Sequence, residues 1–453
     1  MPLFKVIKAS NKLGGAKMEV KEVSKDKNMI VREYLFDKND IARLEDKAVA
    51  ELNRKRYHIE GFRPGRVPKE VYKLRLKEAF YEIYVADEAI KEVENELDKE
   101  ELQLLLPPVI ADAKFSAETG KVVVELHTEP EVKFEPAKLK LRKAKEEEVL
   151  DGYVDMRVNY VIEENAVLEP KDGQAEEGDL VKVKETVMLG EKKLRDAEER
   201  EYVLLKDDER EVVKQLFGRK KGDVVEFEKT FEKGDDKIVY KYILEVEEVY
   251  NRILPEFTDE FVKSLAIENV ETTEQLKEKF RTEGKEIYDR ELAESYRAQI
   301  MDQIPEIAEI EISEKTIERA VENIIDNLKE GGKYESYVQN YGSEEKLIEE
   351  LRNYYLNMIK KDLVVKKIAE ENNIKVDAED IKAYAERVSV EWGVSPDRAE
   401  AIIKSRQDIR NEVVMEIVES KVAKILAEKA QIEEVSFKEQ ENKQEVEEEK
   451  KSE

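Results

Sequence analysis

The period of the apolar residues changes several times along this chain, and each change restricts what the neighbouring segments can fold into. From residue 16 to 36 apolar residues alternate in two runs, Ala16 to Val23 and Asn28 to Phe36, which predicts two strands joined at Lys25-Asp26-Lys27. Helical spacing follows: Ile41, Leu44, Ala48 and Leu52 form one stripe, with Asp37 or Asn39 as its cap. Pro68 suits the first turn of another helix, predicted to turn Val71, Leu74 and Leu76 inward, and a further stripe passes through Ile83, Ala86, Ile90, Val93 and Leu97. Lys121 to His127 alternates again as a strand.

The second half repeats the contrast on a larger scale. Pro130 to Lys145 reads as extended and Glu146 to Glu164 as helix, together a connector between domains. Between Asp179 and Tyr250 come short β-rich runs, Leu180 to Val187, Tyr202 to Leu205, Asp223 to Phe227 and Lys237 to Val249, with one helix from Glu209 to Phe217. Gly178-Asp179, Lys221-Gly222-Asp223 and Gly234-Asp235-Asp236 supply their turns. After Leu254-Pro255 the pattern is helical. Thr272 with Gln275 forms a capping box, and Ser313, Ser343 and Ser395-Pro396 start further helices. These stripes drift in period, which argues against a long coiled coil. Glu433 to Glu453 has almost nothing to bury and is expected to be disordered. The fold class is therefore α+β and multidomain: a mixed N-terminal domain, a compact antiparallel sheet with one helix, and an all-α C-terminal domain.

Composition removes several chemistries. With no Cys and only His58 and His127, thiol catalysis, disulfides, thiolate metal sites and His-based metal clusters are excluded or disfavoured, so no metal and no cofactor is expected. No phosphate loop and no dinucleotide-binding glycine motif occurs. No apolar run approaches the roughly 20 residues that span a bilayer, and the N-terminus has no signal-peptide core, so no membrane partner and a reducing cytoplasm are expected. The charged fraction of 42%, rich in Lys and Glu, resembles that of heat-adapted proteins.

A net charge of -28 makes most of the surface repel nucleic acid. Between Arg54 and Lys77 that sign reverses, with Arg54, Lys55, Arg56, Arg63, Arg66, Lys69, Lys73, Arg75 and Lys77 opposed by Glu60 and Glu70. His58 is placed at the end of the basic helix. In the middle stands Gly61-Phe62-Arg63-Pro64-Gly65-Arg66-Val67-Pro68, a turn that offers one aromatic ring and two guanidinium groups able to grip phosphate. A docking tip and an ordinary solvated turn between two basic helices are both open on this pattern alone.

That turn resembles the signature loop of the bacterial trigger factor family of ribosome-associated chaperones. Glu129-Pro130-Glu131-Val132 to Leu141 is similar to the family's connector, and Ile253-Leu254-Pro255-Glu256-Phe257-Thr258-Asp259-Glu260-Phe261-Val262 to its entry into the C-terminal domain. The resemblance implies a ribosome-binding domain at 1–130, a connector at 131–165, an FKBP-like peptidyl-prolyl isomerase domain at 166–250, a helical chaperone domain at 251–432 and an acidic tail at 433–453. Its implied partners are the large ribosomal subunit, protein and RNA, near the nascent-chain exit, and unfolded nascent polypeptides; pairing of two free copies stays open. Gly61, Phe62, Arg63, Pro64, Gly65 and Arg66 are the implied docking residues. Pro64 departs from the lysine common there, and Arg66 replaces a frequent lysine while keeping its charge.

For the implied isomerase pocket the resemblance points to Tyr202, Val212, Leu216 and Tyr242, with Val212, Val213 and Leu216 where the family has an Ile-Pro-Gly-aromatic floor. The overhanging loop is reduced to Glu232-Lys233-Gly234-Asp235-Asp236. Weak isomerase activity on a retained fold is expected; Tyr202 and Tyr242 are equally compatible with plain core roles. Tyr334, Tyr337, Tyr341, Tyr354, Tyr355 and Met358 read either as adaptable contacts for unfolded chains or as helix packing. A free-standing prolyl isomerase and a scaffold without catalysis are the competing readings.

Overall fold

The computed structural model describes residues 18–233 and 236–436. The turn residues Gly234 and Asp235, and the tail beyond residue 436, lie outside the described residues. The chain divides into two compact units, residues up to Arg142 with Ala293–Glu433, and Lys143–Leu292 with the residues from Glu434.

The first unit begins with β1 (Glu19–Asp26) and β2 (Met29–Phe36), so the turn falls at Lys27-Asn28, with Lys27 at φ 52°. Asp37 caps α1 (Lys38–Arg54) in a reciprocal capping box with Asp40, and the predicted stripe Ile41, Leu44, Ala48 and Leu52 is buried. Next come α2 (Lys69–Leu76), a π-helical turn over Phe80–Val85, α3 (Ala86–Glu100), β3 (Val109–Phe115) and β4 (Gly120–His127). The four strands form an antiparallel sheet ordered β1-β2-β4-β3. Tyr34, Phe36, Val122, Val124 and Leu126 of this sheet share one core with Tyr72, Phe80, Val85, Ala89 and Val93 of the helical segments.

Two inward assignments fail here. Leu74 is 72% exposed and Tyr72 is buried in its place; Ile83 is also exposed, while Phe80 and Val85 face inward. At Ile83 the wider spacing of the π-turn moves the stripe off the positions that an α-helical count gives.

Short strands β5 (Val132–Lys133) and β6 (Lys140–Ala144) follow. The second unit then supplies α4 (Glu146–Glu164), β7 (Val167–Pro170), β8 (Leu180–Leu189), β9 (Lys192–Val203), α5 (Glu211–Leu216), β10 (Val224–Lys233), β11 (Asp236–Ile253) and α6 (Asp259–Ser264). Its five-stranded antiparallel sheet runs β10-β11-β8-β9, with β7 also on β11. Val213 and Leu216 of α5 pack on Val181, Val183, Leu244 and Val246. Most of β9 went unseen in the sequence, because Lys192 to Glu201 is exposed and carries almost no apolar signal.

Helices α7 (Thr273–Ile307), α8 (Glu314–Glu330), α9 (Tyr334–Tyr341), α10 (Glu344–Glu371), α11 (Ala378–Val388), α12 (Pro396–Ser405) and α13 (Gln407–Ala427) follow, with the short strand β12 (Glu309–Ile310) between α7 and α8. Strand β13 (Gln431–Val435) comes after α13, so that Glu433, Glu434 and Val435, expected to be disordered, form part of a strand instead. Thr272 and Gln275 bond reciprocally ahead of α7, as the capping box predicts, and Ser343 and Ser395 cap α10 and α12. Ser313 precedes α8 but does not cap it. Its hydroxyl instead donates to Asp26 Oδ2 at 2.6 Å, and its amide to Asn28 Oδ1 at 2.8 Å. With the contact of His127 Nδ1 and Thr316 Oγ1 at 2.9 Å, these bonds tie the β1–β2 turn and the end of β4 to the start of α8 within one unit. Leu139, Leu141 and Val132, read in the sequence as connector, lie buried with Ile300, Ile304, Val364, Val422 and Leu426.

Candidate functional site

The Gly61 to Pro68 tip is shaped by its own backbone. α1 stops with Arg56 in the left-handed region, φ 52°, and Tyr57 N donates back to Leu52 O at 2.9 Å, the closure that usually takes a glycine. His58 therefore lies beyond the helix, in the turn. Two β-turns follow: Phe62 N donates to Ile59 O and Arg66 N to Arg63 O, each at 3.1 Å. Gly61 at φ 85° and Gly65 at φ 82° hold the third position of each, the geometry of type II turns. Pro64 is the second residue of the latter turn, where its ring fixes the φ that the turn needs. Pro64 thus gives the tip a stiffer backbone and no charge of its own at this position.

Both ends of the tip are pinned. Ile59 and Val67 are buried, and the Asn53 side chain bridges to Val67, its Nδ2 donating to the Val67 carbonyl at 3.0 Å and its Oδ1 accepting from the Val67 amide at 2.9 Å. Tyr72 OH donates to the same Oδ1 at 3.1 Å. What remains outside is Phe62, 38% exposed, with Arg63, Pro64 and Arg66.

The basic cluster separates into two sets. Lys69 and Lys73 are bound to buried Glu45 and to Asp46, and Arg54 and Lys55 to Glu51. Arg56, Arg63, Arg66, Arg75 and Lys77 form no ion pair among the described residues. Five cations are thus available to an outside anion, two of them on the tip.

In the second unit, β8 turns Val181, Val183, Glu185 and Val187 to one buried face. Tyr202 is opposite Val181 on β9 and Tyr242 opposite Val187 on β11, so they share a face but lie six positions apart along β8. Tyr242 stacks on Phe227 directly across the strand pair, centroids 5.0 Å apart and planes at 5°. Tyr202 OH donates to Glu185 Oε2 at 2.7 Å; burial and the adjacent carboxylate push its phenol well up. Val212 is half-buried against the core of this sheet, whereas Leu216 is wholly buried and offers no surface to a ligand. Phe227 and Glu185 were missed in the sequence. The alternation Val181, Val183, Glu185, Val187 places a carboxylate at an inward position, and that signal is legible.

Among the predicted contact residues of the helical part, Tyr337, Tyr341 and Tyr354 are exposed, while Tyr355 is core. Among the described residues no group of acidic and histidine side chains is arranged to hold a metal, and no helix is long and apolar enough to cross a membrane.

The comparisons with known proteins agree with this layout. Residues 18–161 match the family model described as bacterial trigger factor protein, and residues 272–428 that of the bacterial trigger factor C-terminus. The chain belongs to the bacterial trigger factor family. It is 45% identical to the trigger factor of Thermotoga petrophila over 92% of this chain and 96% of that one. The Kosmotoga olearia trigger factor is 41% identical over 92% of this chain and 94% of its own. A solved structure from work on promiscuous substrate recognition by the trigger factor chaperone superposes with a TM-score of 0.77 and 46% identity, covering 90% of this chain and 99% of that one. As a trigger factor, this protein is a ribosome-associated chaperone, and its family carries a peptidyl-prolyl isomerase domain. The five-stranded sheet lies between the two matched ranges.

Proposed function

We propose that the Gly61–Pro68 tip docks this protein on the large ribosomal subunit beside the exit of the nascent chain, that its helical surfaces hold the emerging polypeptide, and that its five-stranded sheet isomerises X-Pro bonds in that client in the cytoplasm. The observation that carries the docking reading is a rigid tip that turns outward an aromatic ring and two guanidiniums with no ion pair among the described residues. Such a tip meets a phosphate-lined surface at little ordering cost, since its backbone is already fixed by two turns and Asn53. The acidic remainder of the molecule confines RNA contact to that one spot.

Exposed Tyr337, Tyr341 and Tyr354 on α9 and α10 support the holding role, because they offer apolar rings with polar ends to varied sequences. Isomerisation needs no charged catalyst. Its barrier of about 20 kcal/mol reflects amide resonance, and an apolar aromatic site favours the twisted bond. The Phe227–Tyr242 stack and Val212 are candidates for that site, with Tyr202 as a wall.

Co-sedimentation with ribosomes tests the docking reading. Phe62→Ala with Arg63→Ala is expected to lower the bound fraction at least tenfold without changing the thermal transition, since both side chains are exposed. Undiminished binding by that double variant rejects the tip as the anchor.

A further inference from the structure

Glu185 is a charged group where the sheet has no evident need of one. Its side chain is 1% exposed, on the same face as Val181, Val183 and Val187, and it accepts from Arg195 Nη1 at 2.6 Å through Oε1 and from Tyr202 OH at 2.7 Å through Oε2. A buried ion pair is commonly no more stabilising than apolar residues of the same volume, so its stability contribution does not account for it.

The strand beside it is distorted at the same place. From Glu185 to Met188, β8 takes three steps, while β9 takes five from Glu198 to Lys193, so β9 bulges by two residues. Within the bulge Ala197 is held at φ 53°, a left-handed conformation unfavourable for alanine, with its amide donating to Thr186 Oγ1 at 3.0 Å. Bulges re-aim side chains. Here the result is that Arg195 falls opposite Val187, which on its other side is opposite Tyr242, itself opposite Phe227. One row across the sheet therefore reads Arg195, Val187, Tyr242, Phe227. Three members are apolar or aromatic, and the fourth is a half-exposed guanidinium whose Nη1 binds Glu185 and whose Nε lies 4.0 Å from Glu198, while its Nη2 makes no hydrogen bond among the described residues.

We infer that Glu185 is a positioning residue for the binding of proline-containing client segments: it holds Arg195 at the polar end of this row, where the guanidinium donates to a backbone carbonyl of the peptide, and fixes Tyr202 as the adjoining wall, while the prolyl ring lies toward Tyr242 and Phe227. This rests on the isomerase reading of the sheet. No bond is made or broken in the step; Arg195 contributes binding, and the twisting of the X-Pro bond is left to the apolar side of the row.

The full-length chain, assayed by protease-coupled isomerisation of a short Leu-Pro-Phe peptide and by NMR titration with that peptide, tests the inference. Arg195→Gln is expected to raise KM at least tenfold while kcat stays within twofold. Glu185→Leu is expected to raise KM by a similar factor with an unchanged or higher thermal transition, and Glu185→Gln, which still accepts from Tyr202, to fall between. The inference is overturned if Glu185→Leu leaves KM within twofold, or if its loss is in kcat and tracks a lowered transition. If the unaltered chain binds the peptide without turnover, the same ratios are read from Kd. If it neither binds nor isomerises, the isomerase reading itself fails and this inference with it; activity that is insensitive to Glu185 sinks the inference alone.

Discussion

Asn53 does at the tip what the sequence alone does not announce. It reads as one more polar residue near the end of a helix, yet it satisfies both the amide and the carbonyl of Val67, fourteen residues on, and accepts from Tyr72. Asn53→Ala strands buried polar groups at the exit of the tip and is expected to destabilise the N-terminal sheet and helices by about 2 kcal/mol. Amide exchange at Val67 should accelerate with it; an unchanged rate there means the tip is held by something else. The turn glycines were legible because their geometry is local. Gly65 needs φ 82°, and a Cβ there would stand 3.2 Å from Asn53 O, whereas a Cβ on Gly61 meets open space. Alanine at 65 therefore costs more than alanine at 61, where only the backbone strain of about 1–2 kcal/mol applies. Leu74 was misread for a local reason too: the helical count favoured it, but α2 has only 8 residues and sets Tyr72 inward against Tyr57, centroids 6.5 Å apart.

Elements at the tip are joined by one carboxylate. Glu45 follows Leu44 on the inward side of α1 and binds Lys73 at 2.8 Å and Lys69 at 3.3 Å on α2, and Tyr81 at 2.8 Å in the π-turn. Burial pushes its carboxyl up, but the bonds from Lys73 and Tyr81 outweigh that and leave it below the ordinary glutamate value. A carboxyl depressed by folding contributes stability above its unfolded value of about 4.3, and that contribution is lost as pH falls through the lower folded value. Acid titration below about pH 4 should thus loosen α2 and the π-turn first. Glu45→Gln is expected to lower the neutral-pH transition and to flatten its dependence on acid pH, measured by circular dichroism melts across pH 3 to 7; an acid limb as steep as in the parent chain counts against Glu45 as the joint. The sequence shows Glu45 beside the stripe of Ile41, Leu44, Ala48 and Leu52, so its inward position could be read, although its three partners could not. At the same scale β9 was illegible because an edge strand facing water need not alternate, while α4 and the capping-box start of α7 were read closely because their signals are contiguous.

Whole-molecule charge decides how the tip is used. The order of mixed domain, sheet and helices could be read from periodicity, since each segment announces its own period. The union of the N-terminal sheet with α8 could not, because it depends on Ser313 bonding Asp26 and Thr316 bonding His127 across more than a hundred residues. A body of net charge -28 repels RNA, so the docking proposed above assigns the hold on the ribosome, against that field, to Arg56, Arg63, Arg66, Arg75 and Lys77, which form no ion pair among the described residues. Each phosphate contact releases counterions and steepens the salt dependence by about 0.7 to 0.9 in the logarithmic slope. Five such cations set a limit of about -4, and cations already bound to Glu45, Asp46 and Glu51 add little. Ribosome affinity measured from 50 to 300 mM salt should follow a slope no steeper than this, and Arg63→Gln with Arg66→Gln should make it shallower by between one and two. Lys69→Gln, by contrast, should leave the slope unchanged while lowering the thermal transition. A slope much steeper than -4, or one that Lys69→Gln flattens as far as the tip variant does, would mean that the locked lysines also reach the RNA and that the division of the basic cluster is wrong.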